Sequence, residues 1–329
     1  MAGGLRLMSR FDRQISLPEI GQIGQQKLAD AHVLVVGAGG LGCPVLQYLV
    51  GAGIGEITLM DGDTVELSNL ARQPLYAPAD CGRYKVEAAR RQLVRTAPEL
   101  RLHPHARDLT PDNVAAAVAP ADVVIDAADS YAASYTLSDC CRRLERPLIS
   151  ASALGQSGYV GAFCGGGPSL RAVFPDPPGN GVTCASSGIM GPVVGMIGAF
   201  QAQLALKLLL DHQPSPLGRL FSFDFATLQM GGFDFSTASE PLQTLPFVGT
   251  QALTPDDYVV DFRPESEAPK PATETAIRIL AEALNVEDLP IDRRVIFACQ
   301  SGLRAWRMAA EIAPRFAGDL AILAVERGG

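Results

Sequence analysis

Residues 32–63 read HVLVVGAGGLGCPVLQYLVGAGIGEITLMDGD and combine a β-branched run, a glycine-rich turn and a helical segment. Within them we predict a strand that feeds the turn over His32 to Gly42, and a helix from Cys43 to Gly53. A second strand, Glu56 to Met60, ends at Asp61, about twenty residues beyond the glycines, which is the spacing of an acidic residue that contacts a ribose. This βαβ order makes the two strands parallel.

The same alternation continues to residue 150 and predicts an α/β fold, a Rossmann-like doubly wound sheet with a nucleotide at its carboxyl edge. We predict helices near Lys85 to Thr96, Asp112 to Val118 and Tyr131 to Leu144, and strands near Leu100 to His105, Asp122 to Asp126 and Pro147 to Ser150. A strand over Gly155 to Phe163, a loop over Gly165 to Ser187 and an apolar helix over Gly188 to His212 follow.

A loop-like segment, Ser236 to Asp257, marks a domain boundary. We take residues 1–240 as the first domain, 241–257 as a linker and 258–329 as a small second α/β domain. In the second domain we predict strands over Tyr258 to Phe262 and Val295 to Ala298, and helices over Thr273 to Leu284 and Leu303 to Ala313.

Composition narrows the possible partners and compartments. The 329 residues are 47% hydrophobic and carry a formal charge of -8, which argues against nucleic acid as a partner. The seven irregularly spaced cysteines contain no C-x-x-C pair, so we expect no structural zinc. The segment Gly188 to Leu206 is uncharged, but Gln201 and Gln203 favour a buried or dimer-interface helix over a membrane span. The N-terminal residues lack a secretion signal, so we expect a cytoplasmic protein.

Several residues favour a nucleoside triphosphate. Gly37, Gly39 and Gly42 form G-x-G-x-x-G, which many dinucleotide enzymes share. The run DGDTVELSNLARQ that begins at Asp61 adds Asn69, Arg72 and Gln73, and Lys85 opens the next predicted helix. Cations beside a phosphate loop suit three phosphates better than two.

The run DAADS, Asp126 to Ser130, follows a strand that should border the phosphate crevice. Asp129 is well placed to bind Mg²⁺, a hard cation that takes carboxylate and phosphate oxygens. For Asp126 the interpretation stays open that it has only a structural role and caps a helix or ends a strand.

These segments together resemble the MoeB/ThiF family, relatives of the adenylation domains of ubiquitin-activating enzymes. The resemblance runs from about Arg10 to Gly232 through RFDRQISL, VLVVGAGGLGCPVLQYL, LMDGDTVELSNLARQ, Lys85, DAADS and VTCASSGIMGPVVGMIGAFQA. It implies ATP-dependent adenylation of the C-terminal glycine of a ubiquitin-like sulfur carrier of the MoaD/ThiS type, ending in Gly-Gly. It also implies a homodimer in which Arg13 reaches into the partner's site. The residues implied to hold ATP and Mg²⁺ are Gly37, Gly39, Gly40, Gly42, Asp61, Asp63, Asn69, Arg72, Gln73, Lys85, Asp129 and Ser130.

Beyond these motifs the chain shows one further match to the family and two departures from it. Cys184 matches a cysteine that some family members use covalently, and a loop cysteine without such a role is an equal alternative. Where the family has zinc-binding C-x-x-C pairs, this chain has Ser169 and Ala172, and nothing comparable over Thr227 to Phe233. The family's Asp-Asn pair is here Asp129 and Ser130.

The segment VIFACQSGLRAW, Val295 to Trp306, resembles the active loop of rhodanese-like sulfurtransferases, with Cys299, Gly302 and Arg304 in the matching places. Such a loop surrounds a sulfur with backbone N–H groups at a helix N-terminus. The resemblance implies that Cys299 receives sulfur from a cysteine desulfurase or thiosulfate and passes it to the carrier as a thiocarboxylate. The domain is shorter than a full rhodanese domain.

Two other functions remain possible at this stage. An NAD-dependent oxidoreductase would share the glycine motif and Asp61, although none of the four histidines lies in a motif suited to hydride transfer. A binding or regulatory homologue without catalysis would fit the missing cysteines and the short second domain.

Overall fold

The computed structural model describes residues 10–177 and 188–325. Its α-helices are α1 Asp12–Ile15, α2 Gly21–Asp30, α3 Gly42–Ala52, α4 Lys85–Thr96, α5 Val114–Val118, α6 Tyr131–Arg143, α7 Leu170–Val173, α8 Gly191–Leu209 and α9 Leu303–Ile312. Its strands are β1 His32–Val36, β2 Glu56–Met60, β3 Arg101–His105, β4 Val123–Asp126, β5 Pro147–Leu154, β6 Ser157–Cys164, β7 Arg219–Asp224, β8 Gln229–Asp234, β9 Tyr258–Asp261, β10 Ile277–Arg278, β11 Val295–Cys299 and β12 Leu320–Ala324.

The first sheet has eight strands in the order β3-β2-β1-β4-β5-β6-β7-β8. The strands from β3 to β5 are parallel, so their carboxyl ends meet along one edge. The order reverses between β1 and β4, which is where doubly wound sheets bind nucleotides. The predicted α/β doubly wound fold is therefore confirmed.

Alternation along β1 divides its side chains between two cores. Val33 and Val35 face the core shared with α2, α3, α4 and α8, whereas Leu34 and Val36 face the core shared with α5 and α6. Burial on both faces explains why β1 reads as a continuous apolar run.

The sheet extends beyond its parallel part through β6, β7 and β8, which pair antiparallel. The sequence analysis predicted β6 but neither β7 nor β8. Every residue of the edge strand β8 is exposed, so a buried apolar face, the usual sequence signal for a strand, is missing there.

Helix α8 is long and apolar enough to span a membrane, and it is the only such helix in the described ranges. It also packs in the main core through Val193, Val194, Ile197 and Leu204. Near its middle the buried Gln201 donates Nε2 to the carbonyl of Asp126 at 2.8 Å. These contacts fit a core helix, as the sequence predicted.

The second sheet contains four parallel strands in the order β10-β9-β11-β12. Strands β9 and β11 match their predictions, while β12 was not predicted. Residues 246–248 lie beside β12, since Val248 N donates to Ile322 O at 2.9 Å and Ile322 N donates to Pro246 O at 2.9 Å.

The predicted helix over Thr273 to Leu284 is wrong. Strand β10 occupies Ile277–Arg278 and pairs with β9, and only a short 3-10 turn follows at Ala281–Ala283. The Ala272 N–H also donates to the buried Asp261 carboxylate at 2.8 Å. These tertiary bonds hold the segment extended against its local helix propensity.

Candidate active site at the carboxyl edges of the two sheets

The turn between β1 and α3 requires glycine at two positions. Gly37 has φ +98°, and a Cβ there would overlap the backbone of Ala127 in the neighbouring loop. A Cβ on Gly42 would overlap the Gly37 carbonyl oxygen. Both glycines therefore let the chain fold back tightly and let the loop after β4 approach it.

The middle of the turn faces more open space. A Cβ on Gly39 would have Gln73 Nε2 at 3.7 Å as its nearest neighbour, which is ordinary contact. Gln73 is only 2% exposed, and its Oε1 has no hydrogen-bond partner among the described residues. A buried amide with a spare acceptor beside an accessible backbone suits a polar ligand.

Asp61 ties the end of β2 to this turn. Its Oδ2 accepts from Ala38 N at 2.7 Å, and its Oδ1 accepts from Asp63 N at 2.8 Å. Burial raises the pKa of Asp61, against the opposing charge of Lys85 and the two backbone donors. The predicted ribose-binding carboxylate is thus at the crevice and also orders the glycine turn.

Lys85 is the buried cation of the site. It is 6% exposed, and its Nζ donates to Asp63 Oδ2 at 2.8 Å. Burial alone lowers the pKa of Lys85, but the carboxylates of Asp61 and Asp63, with a smaller contribution from Asp129, outweigh it and raise the pKa. The ammonium is therefore charged, and it lies among carboxylates from β2 and the loop after β4.

Asp129 is exposed in the loop after β4 and has no hydrogen-bond or ion-pair partner within residues 10–177 and 188–325. Ser130 instead caps α6, because its Oγ accepts from Ala133 N at 3.4 Å. An exposed, unpaired carboxylate close to Lys85 fits Mg²⁺ binding, since Mg²⁺ takes one or two carboxylates together with phosphate oxygens.

Asp126, for which the sequence left two interpretations open, is fully buried beneath this loop. Its carboxylate accepts from Ser150 Oγ at 2.7 Å and from Ala128 N at 3.2 Å. Burial raises the pKa of Asp126 to about 6. Asp126 ends β4, and its carboxylate also holds the turn that leads to Asp129.

Asn69 and Arg72 lie in the segment that follows β2. Asn69 is 7% exposed, and its Oδ1 accepts from Glu66 N at 3.2 Å. Arg72 donates Nη1 to Ser68 O at 3.2 Å. Both side chains hold the segment's own backbone, so any nucleotide contact from Arg72 requires its side chain to leave Ser68.

Arg13 lies near the C-terminal end of α3, away from the glycine turn at its N-terminal end. The segment around α1 packs against the C-terminal end of α3, where Gln14 Nε2 donates to Ala52 O at 3.0 Å and Phe11 lies against Gly53. Helix α3 begins at the glycine turn and runs 11 residues away from it, a length of about 16 Å. The exposed Arg13 is therefore not brought to the site of its own chain.

The described residues contain no group of three or more His, Cys, Asp or Glu side chains arranged to hold a metal. At the position of the family's first C-x-x-C pair, Ser169 binds Glu240 instead: its N–H donates to Oε1 at 2.8 Å and its Oγ donates to Oε2 at 2.6 Å. These hydrogen bonds therefore join the start of α7 to the segment that follows β8.

Cys299 ends β11 and is 1% exposed. Its Sγ accepts from Ala305 N at 3.4 Å, in the first turn of α9. Gly302 has φ +77° and caps that helix, and a Cβ there would collide with the ring of Phe247. The loop thus wraps the sulfur at a helix N-terminus, and Phe247 covers the loop.

Arg304 binds the loop that follows β9. Its Nη1 donates to Phe262 O at 2.8 Å, and its Nη2 lies 2.7 and 2.8 Å from the two carboxylate oxygens of Glu267. Sequence reasoning passed over Arg263, which forms a buried ion pair with Asp261 at the end of β9. The predicted strand Tyr258 to Phe262 ends one residue before Arg263, and no role is predicted for the charged pair at its end.

The sequence did not indicate the contact between the regions around the two sheets. Arg171 is buried, binds Asp139 through Nε and Nη2 at 2.6 and 2.8 Å, and donates Nη2 to Leu245 O at 3.2 Å. Its guanidinium carbon lies 4.8 Å from the ring centroid of Tyr135 and 5.1 Å from that of Trp306. Cys184, for which the sequence left a covalent role and a loop cysteine without one as equal alternatives, lies outside the described residues.

Comparison with known proteins supports the first domain most strongly. The ThiF family model matches residues 11–243. Adenylyltransferase and sulfurtransferase MOCS3 of Anopheles gambiae is 45% identical over 220 residues, which cover 66% of this chain and 50% of the relative. MOCS3 of Bos taurus is 47% identical over 218 residues, which cover 65% and 48%. The chain thus spans about half the length of the curated relatives it matches.

Solved structures agree in fold. E. coli MccB with MccA-N7isoASN gives a TM-score of 0.63 at 23% identity and covers 71% of this chain and 74% of that one. PaaA gives a TM-score of 0.60 at 21% identity, with 70% and 76% covered. With its glycine turn, Lys85 and Asp129 at one crevice and the family match over 11–243, this chain belongs to the ThiF family.

Proposed function

We propose that this chain uses ATP and Mg²⁺ to adenylate the C-terminal glycine of a ubiquitin-like sulfur carrier of the MoaD/ThiS type. The observation that carries the proposal is the buried Lys85 ammonium and the nearby exposed Asp129 carboxylate. Both lie at the carboxyl edge where the strand order reverses between β1 and β4. The names of the curated relatives, adenylyltransferase and sulfurtransferase, support the same reaction.

The reaction needs alignment more than acid–base chemistry, because a carboxylate is already a nucleophile. A carboxylate oxygen of the carrier attacks the α-phosphorus, the bond from that phosphorus to pyrophosphate breaks, and pyrophosphate leaves with the electron pair. Lys85 and Arg72 offset the charge that moves onto pyrophosphate. Bound at Asp129, Mg²⁺ would neutralise phosphate oxygens. The turn at Gly39 lets the backbone approach the phosphates.

The test is exchange of labelled pyrophosphate into ATP in the presence of a purified carrier that ends in Gly-Gly. We expect exchange that depends on the carrier and on Mg²⁺, and its loss in Asp129→Ala. Asp256→Ala, a change at an exposed acidic residue outside the first sheet, is the matched control. Full exchange in Asp129→Ala, or exchange without any carrier, would refute the proposal.

We also propose a homodimer with sites completed in trans. Tyr48 on α3 and Met196 on α8 are 59% and 54% exposed on neighbouring helices, a surface suited to a second copy. Arg13, remote from its own crevice, is available to a partner. A mixture of Arg13→Ala and Asp129→Ala chains should recover part of the activity, because one hybrid site in each mixed dimer is intact. A chain that stays monomeric at assay concentration contradicts this.

For the second domain we propose sulfur transfer through Cys299. The terminal sulfur of a Cys299 persulfide attacks the carbonyl carbon of the adenylated carrier, and AMP leaves with the electron pair of the broken C–O bond. A second thiolate then attacks Cys299 Sγ, which forms a disulfide and releases the thiocarboxylate. Cys299→Ser should retain pyrophosphate exchange and lose thiocarboxylate formation. A thiocarboxylate formed by Cys299→Ser would assign the sulfur to another residue.

The alternative of an NAD-dependent oxidoreductase has little support. His103 binds Glu56 and His32 binds Thr58 along the strands, and His212 binds the Glu19 carbonyl. None of these contacts joins a histidine to the glycine turn. Titration calorimetry with NAD and with ATP separates the two functions directly.

A further inference from the structure

The second candidate site contains a buried guanidinium beside its cysteine. Strand β9 pairs with β11 so that Asp261 lies opposite Ala298, and Phe262 N donates to Ala298 O at 2.9 Å. The chain therefore passes Cys299 as it leaves β9. Arg263, the next residue, is 5% exposed at this edge.

Asp261 fixes one side of that guanidinium. Arg263 donates Nε to Oδ1 at 3.0 Å and Nη2 to Oδ2 at 2.9 Å, and Asp261 itself is fully buried. This bidentate pair occupies Nε and Nη2 of the guanidinium group. The Nη1 of Arg263 has no hydrogen-bond partner within the ranges that the structure covers.

Arg304, which the sulfur-loop motif singled out, differs in each respect. Its side chain is 43% exposed, and both of its terminal nitrogens have partners, in Phe262 O and Glu267. It holds the loop after β9 against α9. Of the two arginines, only Arg263 combines burial with a free donor, and a buried charge acts through a lower effective dielectric.

The ion pairs at the carboxyl end of β9 carry a net positive charge. Three guanidiniums, of Arg263, Arg278 and Arg304, pair with two carboxylates, of Asp261 and Glu267. The Arg278 Nε is buried 3.9 Å from Asp261 Oδ2 and has no hydrogen-bond partner among the described residues. The hydrogen bonds to Asp261 raise the pKa of Arg263, and the charges of Glu267 and a Cys299 thiolate contribute in the same direction.

We propose that Arg263, clamped by Asp261, is the cation that stabilises the anionic sulfur on Cys299, both as thiolate and as persulfide. This inference rests on the proposed sulfur transfer at Cys299. The bidentate bonds to Asp261 fix the guanidinium at the carboxyl edge where β11 ends in Cys299.

Formation of the persulfide needs no oxidant besides the sulfur donor itself. With thiosulfate as the probe donor, the Cys299 thiolate attacks the outer sulfur and the S–S bond of thiosulfate breaks. Sulfite leaves with the electron pair, and the product is a persulfide anion. Cyanide then takes the outer sulfur as thiocyanate and regenerates the thiolate.

The test compares two Arg–Asp pairs at opposite ends of the same strands. Asp261→Asn with Arg263→Gln removes both charges of the pair near Cys299, so no carboxylate is left unpaired. Asp257→Asn with Arg294→Gln does the same at the amino edge, where Arg294 makes the matching bonds to Asp257 at 2.8 and 2.7 Å. The single change Arg263→Lys keeps the positive charge but removes the planar guanidinium and its two bonds to Asp261.

The first measurement is the rate of iodoacetamide alkylation at Cys299, followed by mass spectrometry of its peptide at pH 7. We expect a fall of about tenfold in the Asp261/Arg263 variant, little change in the Asp257/Arg294 variant, and a rate within about threefold of wild type in Arg263→Lys. The second measurement is kcat and KM for thiosulfate. Pyrophosphate exchange in every variant checks that the first domain is intact.

An alkylation rate in the Asp261/Arg263 variant equal to wild type overturns the inference. So does an equal fall in both double variants, which would indicate a role in folding alone. If wild type forms no persulfide on Cys299 but Arg263 still controls alkylation, the proposed sulfur transfer fails while the role of Arg263 toward the thiolate stands.

Discussion

The carboxyl edges of the two sheets are built from the same parts and differ in how far they open. At the first edge Asp129 is exposed, and Lys85 pairs with an Asp63 side chain that is 50% exposed. At the second edge Cys299 is 1% exposed beneath the loop that Phe247 covers. Parallel strands direct their loops to one edge in both sheets.

The difference follows from what each proposed site handles. ATP and a protein tail must enter the first site, so its charged groups lie at the surface of a crevice. A reactive sulfur nucleophile is easily oxidised and reacts with other thiols. Burial at a helix N-terminus protects it from both.

Removing the cation at the open edge should have the largest effect. Lys85→Ala should lower the rate of pyrophosphate exchange by about 10²–10³-fold, because the charge leaving on pyrophosphate loses its buried partner. Steady-state exchange kinetics measure it. Lys27→Ala is the control, since Lys27 makes only an exposed pair with Asp211 at 2.7 Å. Exchange within threefold of wild type in Lys85→Ala would remove Lys85 from the mechanism.

The glycine turn at the open edge also depends on Gly37, whose φ of +98° is rarely adopted by residues with a side chain. Gly37→Ala should destabilise the first domain by about 2–4 kcal/mol, because a positive φ and a collision with Ala127 act together. Gly51→Ala in the same βα unit meets nothing within 4 Å and should be neutral or stabilising by up to about 1 kcal/mol. Urea unfolding followed by circular dichroism compares them, and equal stabilities would contradict the packing argument.

The buried carboxyl beneath the open edge predicts a pH dependence. Between an unfolded pKa near 3.8 and the folded pKa of about 6, folded Asp126 holds a proton that the unfolded chain has lost. The free energy of unfolding therefore falls as pH rises through this window, by ~3 kcal/mol from this group. Asp126→Asn should thus gain stability relative to wild type from pH 4 to pH 6.5. A difference that is constant across these pH values would exclude the shift.

The contact that joins the two regions should give the smallest effect. Arg171→Met should destabilise the second domain by about 2 kcal/mol, through lost charged hydrogen bonds and stacking. Trp306 is the single tryptophan of the chain and lies in this contact, so its fluorescence reports the change selectively. Arg142→Met, which removes a largely exposed pair with Glu240, should cost less than about 1 kcal/mol. Similar losses in both variants would show that burial of Arg171 adds nothing.

Residues 32–63 by themselves determined the glycine turn, and the alternation of strands and helices up to residue 150 determined the doubly wound sheet. Buried parallel strands, a turn that needs glycine and a mainly apolar helix leave local signals. The same local reading placed Lys85 at the start of α4 and Asp129 after β4, since both lie within a few residues of a strand or helix end. It identified Cys299 because strand, loop and helix are contiguous there.

Only the tertiary structure decided what depends on distant partners. Residues 277–278 became strand β10 because β9 offered an unpaired edge, against a helical local pattern. Arg171 gained a role because α6, the linker and α9 meet around it. Arg263 lies at the edge where β11 ends in Cys299 because β9 pairs with β11 in one particular register, and Arg304 binds Glu267 in the loop after β9. Pairing and burial between remote segments leave no period or spacing in the chain, so a sequence read locally does not contain them.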